Sequence, residues 1–214
     1  MNLAEKYING LKKAYIDNGG GEVWGQFEGI MHGASKENIE NLKNLFPDIP
    51  QSLVDLLLFA DGTHYRKYGE KKVCLCILGS DIDGYPYYLS SSEQILKETE
   101  SGAKCNYDLD DFLYWVNENG YTELYDDKLT DDPEKARWLQ FSNCINNGGT
   151  SMLYIDFSPS EKGKAGQVVR YLHDPDQYKV IADSFDNYLD LLISDGYSFI
   201  NEESVEGASI YNAE

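Results

Sequence analysis

The adjacent residues His173 and Asp174 have the types of a general base and of the carboxylate that orients it. They lie near the end of the β-rich stretch "GQVVRYLHDPD". Neighbouring side chains of an extended chain point to opposite faces, so this pair does not readily share a side-chain hydrogen bond. We therefore interpret His173 as a strand-end or turn residue. A hydrolase that uses Asp156, His173 or Asp174 is the minor alternative that the sequence leaves open.

The glycine pair Gly148-Gly149 raises the question of a phosphate cradle, in which backbone N–H groups at a helix start bind an anion. Such a cradle needs a helix directly after the glycines. Here the glycines lead into the β-rich run "TSMLYIDF", and no lysine–serine or lysine–threonine pair follows them. The pattern predicts a tight, positive-φ connection between two adjacent antiparallel strands.

Potential metal ligands show no metal-binding spacing. The cysteines Cys74, Cys76, Cys105 and Cys144 fit no zinc pattern, and we interpret them as buried free thiols. The stretch "SDIDG" resembles half of a calcium loop, but Ser90 stands where the loop needs its distal glutamate. We expect neither a metal nor an organic cofactor.

The net charge restricts the possible partners. The chain has 37 acidic and 18 basic residues among 214, which gives a formal charge of -19. Such a field repels nucleic acid and anionic lipid but attracts basic proteins, although acidity also serves solubility alone. No segment approaches the ~18 consecutive apolar residues of a membrane span, and the N-terminus offers no apolar run typical of a signal peptide. The sequence predicts a cytoplasmic protein with neither nucleic-acid nor membrane contact.

Apolar spacing and capping residues predict four helices. The first lies within "MNLAEKYINGLKKAYID", the second starts at Ser35, the third lies within "FPDIPQSLVDLLLFADG" and stops near Gly62, and the last is capped by Asp183 or Ser184. An antiparallel pair of strands is expected at 72–78 and 84–90, followed by the strands "RWLQFSNC", "TSMLYIDF", "GQVVRYLH" and "YKVIAD".

Two segments are expected to lack regular structure. Three consecutive glycines in "DNGGGEVWG" favour no one backbone conformation, and residues 201–214 have neither period nor core material. We expect a single domain over residues 1–200, followed by a loose C-terminal tail.

Residues 100–136 differ in character from the rest of the chain. Between Tyr107 and Asp132 there are nine acidic residues and one lysine, mixed with aromatic residues. The stretch "LDDFLYWVNENG" predicts a short helix that ends at Gly120, and the residues after it indicate loop or short helical turns. Two interpretations stay open: an insertion whose aromatic side chains pack on the main core, and a partner-binding surface.

Four longer stretches follow one another along the chain: "ASKENIENLKNLFPDIPQSLVDLLLFADGTH", "WLQFSNCINNGGTSMLYIDFSP", "GKAGQVVRYLHD" and "IADSFDNYLDLL". This order resembles the SUKH superfamily, which includes the yeast cell-wall synthesis regulator and many bacterial toxin-immunity proteins. The match is best over residues 33–196. The family's characteristic positions are then occupied by Asp61, Gly62, Trp138, Gly148, Gly149, Asp156, Gly166, His173, Asp174, Ser184 and Phe185.

This sequence departs from the family pattern at the glycine turn and at one helix end. Thr150 replaces the asparagine that commonly follows the glycines, Asn146 or Asn147 replaces an acidic residue, and Asp61-Gly62 replaces Asn-Gly. The resemblance implies an α+β fold, with helices packed against a mixed, mainly antiparallel sheet. It also implies that most characteristic residues are architectural and that the protein binds other proteins without catalysis.

The main hypothesis is a bacterial immunity protein that binds and neutralises a cognate polymorphic toxin, a basic secreted domain for which a nuclease is one candidate. A regulatory or scaffold protein of the cell-wall synthesis type is the alternative. The oligomeric state stays open. Aromatic residues inside an acidic rim are expected to contact the partner. The candidates are Asp81, Asp83, Tyr85, Tyr87, Trp115 and Tyr125.

Overall fold

The computed structural model describes residues 1–82, 85–100, 109–146 and 149–213. These residues form eight α-helices, nine strands and a short 3-10 helix at Thr122–Leu124. The helices are α1 (Leu3–Asp17), α2 (Gly21–Ile30), α3 (Lys36–Leu45), α4 (Gln51–Phe59), α5 (Ser92–Glu100), α6 (Leu109–Asn119), α7 (Phe185–Ser194) and α8 (Glu202–Glu206). The strands are β1 (His64–Tyr68), β2 (Lys71–Cys74), β3 (Cys76–Leu78), β4 (Tyr87–Leu89), β5 (Trp138–Asn146), β6 (Gly149–Asp156), β7 (Gln167–Leu172), β8 (Gln177–Ala182) and β9 (Ser209–Asn212).

The described strands form two antiparallel sheets. Strands β3 to β8 make a six-stranded sheet in sequence order, whereas β1, β2 and β9 make a three-stranded sheet with β2 in the middle. The predicted α+β class is therefore confirmed. The strand pairs of both sheets are antiparallel, so the sheets are not mixed as expected. Among the described residues, parallel pairing occurs as an isolated bridge between Tyr125 and Tyr178.

The main core lies on one face of the large sheet, under α1, α4 and α7. Tyr7 and Tyr15 lie two turns apart on α1 and are fully buried, as the apolar spacing predicts. Their hydroxyls donate hydrogen bonds to the carbonyl oxygens of Ile77 and Cys76, at 2.6 and 2.7 Å. These bonds satisfy buried polar groups on both partners and attach the helix to β3.

The other face of the large sheet is covered by α6 and the segment after it. Leu109, Leu113 and Val116 form the buried side of α6 and belong to a second apolar cluster with Trp138 and Tyr154 of the sheet. The helix expected in "LDDFLYWVNENG" is therefore present and is followed by Gly120 in a positive-φ conformation. In its described part, the acidic insertion packs onto the sheet.

Several elements differ from the prediction. The glycine-rich stretch breaks regular structure at residues 18–20, between α1 and α2, but its remainder is helical: α2 begins at Gly21 and buries Trp24 and Phe27. The strand expected at 72–78 divides at Leu75 between the two sheets, and β1 and α5 were not predicted.

The C-terminal residues do not form a loose tail. Helix α8 is followed by β9, which pairs with β2 through four residues of each strand, and Ile210 packs against the main core. Pairing with β2 gives the short strand its order, because its own sequence carries little apolar material.

Candidate partner-binding surface

A series of aromatic rings runs from the buried sheet to the protein surface. Trp138 contacts Tyr178 with ring centroids 5.7 Å apart, and Tyr178 contacts Phe112 of α6 at 5.2 Å. Phe112 lies 6.3 Å from Trp115, which lies 5.2 Å from Tyr121. All four distances are in the range of favourable aromatic pairs. We call these five residues the aromatic series; its inner members fix the position of its outer members.

The outer members are accessible to a partner. Trp115 and Tyr121 are 45% and 46% exposed, and the neighbouring Tyr114 is 70% exposed. Because α6 uses Leu109, Leu113 and Val116 to attach to the sheet, its other side faces outward. Exposed aromatic rings held on a rigid helix are typical of protein-binding surfaces.

A groove lies between α6 and the turn that joins β7 to β8. Its volume is about 670 Å³, and its lining residues are Asp111, Phe112, Trp115, Leu124, His173, Asp174, Pro175 and Asp176. A smaller hollow of about 270 Å³ lies beside it and shares Phe112, His173 and Asp176 with it. The aromatic series thus forms one wall of the groove, and polar residues of the β7–β8 turn form the opposite wall.

The polar wall has a defined hydrogen-bond arrangement. His173 Nδ1 lies 3.3 Å from Asp176 Oδ1, and the same oxygen accepts a hydrogen bond of 2.8 Å from the Tyr171 hydroxyl. The carboxylate beside His173 is therefore that of Asp176, and Asp174 takes a positive φ of 57° in the turn. A Cβ on Gly149 would lie 2.1 Å from Cδ2 of His173. The close approach of the imidazole to the β6 backbone explains the glycine at this position.

The surroundings of the groove are acidic. Residues 109–124 contain four acidic side chains and no lysine or arginine. Among the described residues, those that line the groove and the adjacent hollow include no lysine or arginine either. Aromatic faces combined with carboxylates attract cations, and the overall charge of -19 extends this preference beyond the groove.

Other predicted contact residues occupy different places. Asp81 accepts hydrogen bonds from Arg170 Nε at 2.6 Å and from Lys179 Nζ at 2.8 Å, on the face of the large sheet opposite α6. Burial opposes ionisation of Asp81, but the bonds from these two cations outweigh it and lower the pKa of the carboxyl. Tyr87 is fully buried, so the prediction that it contacts a partner is wrong. Tyr85 is partly buried against the main core.

The remaining predicted contacts divide between the surface and the interior. Trp115 belongs to the groove, whereas Tyr125 packs on Tyr178 and donates a hydrogen bond of 2.5 Å to the Thr130 carbonyl oxygen. Asp83 lies outside the described residues. The structure therefore does not bring the six candidates together, because Asp81 and Trp115 lie on opposite faces of the sheet.

Most of the residues expected to be architectural have structural contacts. Asp156 is fully buried, which raises the pKa of its carboxyl, and it accepts a 2.9 Å hydrogen bond from Gln167 Nε2. Gly62 has a φ of +90°, and a Cβ there would lie 2.6 Å from the Ser91 backbone.

Helix α7 supplies further structural contacts of this kind. Ser184 caps α7 by accepting a hydrogen bond of 3.1 Å from the Asn187 backbone N–H, and Phe185 is fully buried in the main core. The glycine connection joins two adjacent antiparallel strands, β5 and β6, as predicted, but Gly149 belongs to β6 and does not have the expected positive φ. Gly148, within that connection, lies outside the described residues.

The cysteines in the described part of the chain lie in the interior. Cys74, Cys76 and Cys144 are buried free thiols, and Cys105 lies outside the described residues. No group of three or more potential ligands within the described ranges could hold a metal ion.

Sequence reasoning included Tyr114 and Tyr121 in the acidic aromatic segment but did not select them as contact residues, and it missed Asp176 as the partner of His173. The sequence did contain one signal for this surface. Asp111 and Trp115 are four residues apart, which places them one turn apart on the same side of α6. The opposite wall of the groove had no local signal, because it comes from residues about sixty positions later in the chain.

Comparison with protein families gives one match over most of the chain. A family model described as "SMI1 / KNR4 family (SUKH-1)" matches residues 33–191. A comparison with curated proteins finds no match. None of the described helices has both the length and the apolar character required to cross a membrane.

Proposed function

Since the chain belongs to the SMI1 / KNR4 family (SUKH-1), we propose that it is a non-catalytic protein-binding module, and specifically an immunity protein that binds and neutralises a cognate toxin. The toxin is a basic polypeptide, for which a nuclease domain is the leading candidate. The observation that carries the proposal is the exposed end of the aromatic series inside an acidic surface on α6.

Aromatic rings and carboxylates contribute to binding in different ways. Trp115 and Tyr121 are held by the inner rings, so they lose little conformational freedom when a partner covers them. Tryptophan and tyrosine are the residue types that most often dominate binding free energy at interfaces. The acidic side chains around them increase the association rate with a basic partner. A nuclease must itself carry positive charge to attract nucleic acid, so it fits this surface electrostatically.

Co-expression tests the proposal directly. The protein is produced together with the toxin encoded beside its gene, and survival of the host is compared with that of cells producing the toxin alone. We expect survival with the wild-type protein and reduced survival with a Trp115→Ala, Tyr121→Ala double variant. Tyr65→Ala is the matched control, since it removes an aromatic ring of equal exposure, 45%, from the other sheet. Death of the host despite folded wild-type protein would refute the immunity role, and binding to an envelope-synthesis protein would support the regulatory alternative.

A separate measurement tests the non-catalytic part. His173 and Asp176 lie close enough to act as an acid–base pair in the groove, so this site is where catalysis would occur. Incubation of the purified protein with a broad panel of hydrolase substrates is expected to give no turnover. Turnover that disappears in His173→Ala would establish an enzyme and overturn the proposal.

A further inference from the structure

The groove beside α6 has the chemistry of a receptor for a cationic side chain. Phe112 and Trp115 supply apolar ring surface, with Trp115 partly open to solvent. Asp111 lies one helical turn before Trp115 and lines the same groove, so ring and carboxylate are adjacent on one side of the helix. Asp174 and Asp176 add carboxylates from the opposite wall.

Among the described residues that line the groove there is no lysine or arginine beside Asp111. On the opposite wall, His173 Nδ1 lies 3.3 Å from Asp176 Oδ1. A ligand that enters the groove must therefore pass an acidic rim and then contact aromatic surface. An anion or a neutral apolar chain satisfies only one of these two features, whereas a cation with a flat apolar face satisfies both.

We infer that this groove binds an arginine side chain presented by the protein partner, with its guanidinium stacked on Trp115 and paired with Asp111. Arginine fits better than lysine, because its planar group stacks on an aromatic ring while its N–H groups donate to a carboxylate at the edge. The volume of about 670 Å³ also leaves room for the residues that flank the arginine in a basic segment. The inference rests on the proposed function, because it takes the ligand to be a segment of a protein.

The test uses a probe that does not depend on the identity of the partner. The three tryptophans of the chain, Trp24, Trp115 and Trp138, give three indole N–H signals in a ¹⁵N-labelled sample, and Trp115 is the exposed one. A hexa-arginine peptide is titrated into the full-length protein. We expect a saturable shift of the Trp115 signal, with the signals of the other two tryptophans unchanged.

Two variants separate local recognition from general charge attraction. Asp111→Asn is expected to weaken hexa-arginine binding at least threefold. Asp110→Asn removes the same charge from the same helical turn, but residue 110 does not line the groove, so we expect less than half of that effect. Hexa-lysine is expected to bind at least threefold more weakly than hexa-arginine at the Trp115 signal.

The outcomes distinguish this inference from the proposed function. An unshifted Trp115 signal, equal effects of the two aspartate variants, or equal binding of both peptides would overturn the arginine site, even if co-expression protects the host. Conversely, a Trp115 response with the expected dependence on Asp111, in a protein that fails to protect the host, would retain the arginine site and reject the immunity role.

Discussion

Replacing Asp81 by alanine removes the carboxylate that neutralises Arg170 inside the protein. The Arg170 side chain is 1% exposed, and Asp81 contacts it through Nε at 2.6 Å and through Nη2 at 3.3 Å. Gln177 Oε1 accepts a further hydrogen bond from Nη2 at 3.0 Å, but it carries no charge. Asp81→Ala therefore leaves a buried guanidinium with one neutral acceptor in place of its ion-pair partner.

The expected cost follows from the burial of Arg170. Removing one partner of a buried ion pair typically destabilises a protein by about 3–5 kcal/mol, because the remaining charge loses its compensation. The Asp81 side chain is 25% exposed, so water can partly replace it, and we expect about 3 kcal/mol. For a chain of this length, that loss corresponds to a decrease in Tm of roughly 6–12 °C.

The pH dependence of this loss has a definite sign. The folded protein lowers the pKa of Asp81 below its ordinary value of 3.8, because its bonds to Arg170 and Lys179 outweigh the cost of burial. A lowered pKa contributes stability above the unfolded-state pKa, and this contribution is lost as the pH falls through the folded-state pKa. The difference in Tm between the wild-type protein and Asp81→Ala should therefore be constant between about pH 7 and pH 5 and shrink below about pH 4.

Thermal unfolding followed by circular dichroism measures this effect. Asp127→Ala is the matched control, because the Asp127 side chain is 69% exposed and pairs with an equally exposed Lys162. We expect no measurable change in its Tm. If Asp81→Ala kept the wild-type Tm but lost partner binding, the assignment of Asp81 to the interior would be wrong and its original prediction as a contact residue would be right.

Four further predictions concern other regions. Gly149→Ala places a Cβ 2.1 Å from the His173 ring, so urea unfolding should show a loss of about 1 kcal/mol. Gly25→Ala, whose Cβ meets no atom within 4 Å in α2, should raise stability by a similar amount, about 1 kcal/mol. Truncation before β9 exposes the edge of β2 and should lower Tm, whereas a loose tail would leave Tm unchanged. Burial raises the pKa of the Cys144 thiol to about 11, so a thiol reagent at pH 8 should not label it until the protein is unfolded. Mass spectrometry measures the labelling, and rapid labelling of the native protein would contradict the burial of Cys144.

The elements predicted well are those specified by neighbouring residues. Ser184 caps α7 because its side chain accepts from a backbone N–H three residues later, and this spacing is visible in the sequence. The buried stripe of α1 follows from residues four apart in the same way. Strands β5 to β8 carry enough β-branched and aromatic residues to be recognised without knowledge of their partners.

The elements predicted poorly depend on distant partners. Helix α2 contains several glycines, but burial of Trp24 against Tyr15, with ring centroids 5.2 Å apart, stabilises it from outside. Strand β9 pairs with a strand more than 130 residues earlier in the chain. Such stabilisation is tertiary, so it leaves no periodic pattern in the segment itself.

For the same reason, only one wall of the candidate groove could be predicted from the sequence. Trp115 was predicted from its residue type and its acidic neighbours, and helical spacing places Asp111 beside it. The opposite wall joins the site through the pairing of β7 and β8, which brings His173 and Asp176 to the end of the hairpin near α6. Sequence reasoning also grouped Asp81 and Tyr87 with Trp115 because all three lie in polar, aromatic stretches. The large sheet, however, separates Asp81 from Trp115, and burial removes Tyr87 from the surface.

The two faces of the large sheet divide architecture from recognition. On one face, Arg170 pairs with Asp81 and Phe185 packs in the main core, so substitutions there act on folding. On the other face, α6 is attached through its buried residues and Phe112, whereas Asp111 and Trp115 lie outside the buried cluster and face outward. On the proposed function, this division allows the outward side of α6 to change with a changing toxin at little cost in stability. Substitutions at Asp111 and Trp115 should consequently alter partner binding with little effect on Tm, and a large loss of stability in either variant would contradict this division of roles.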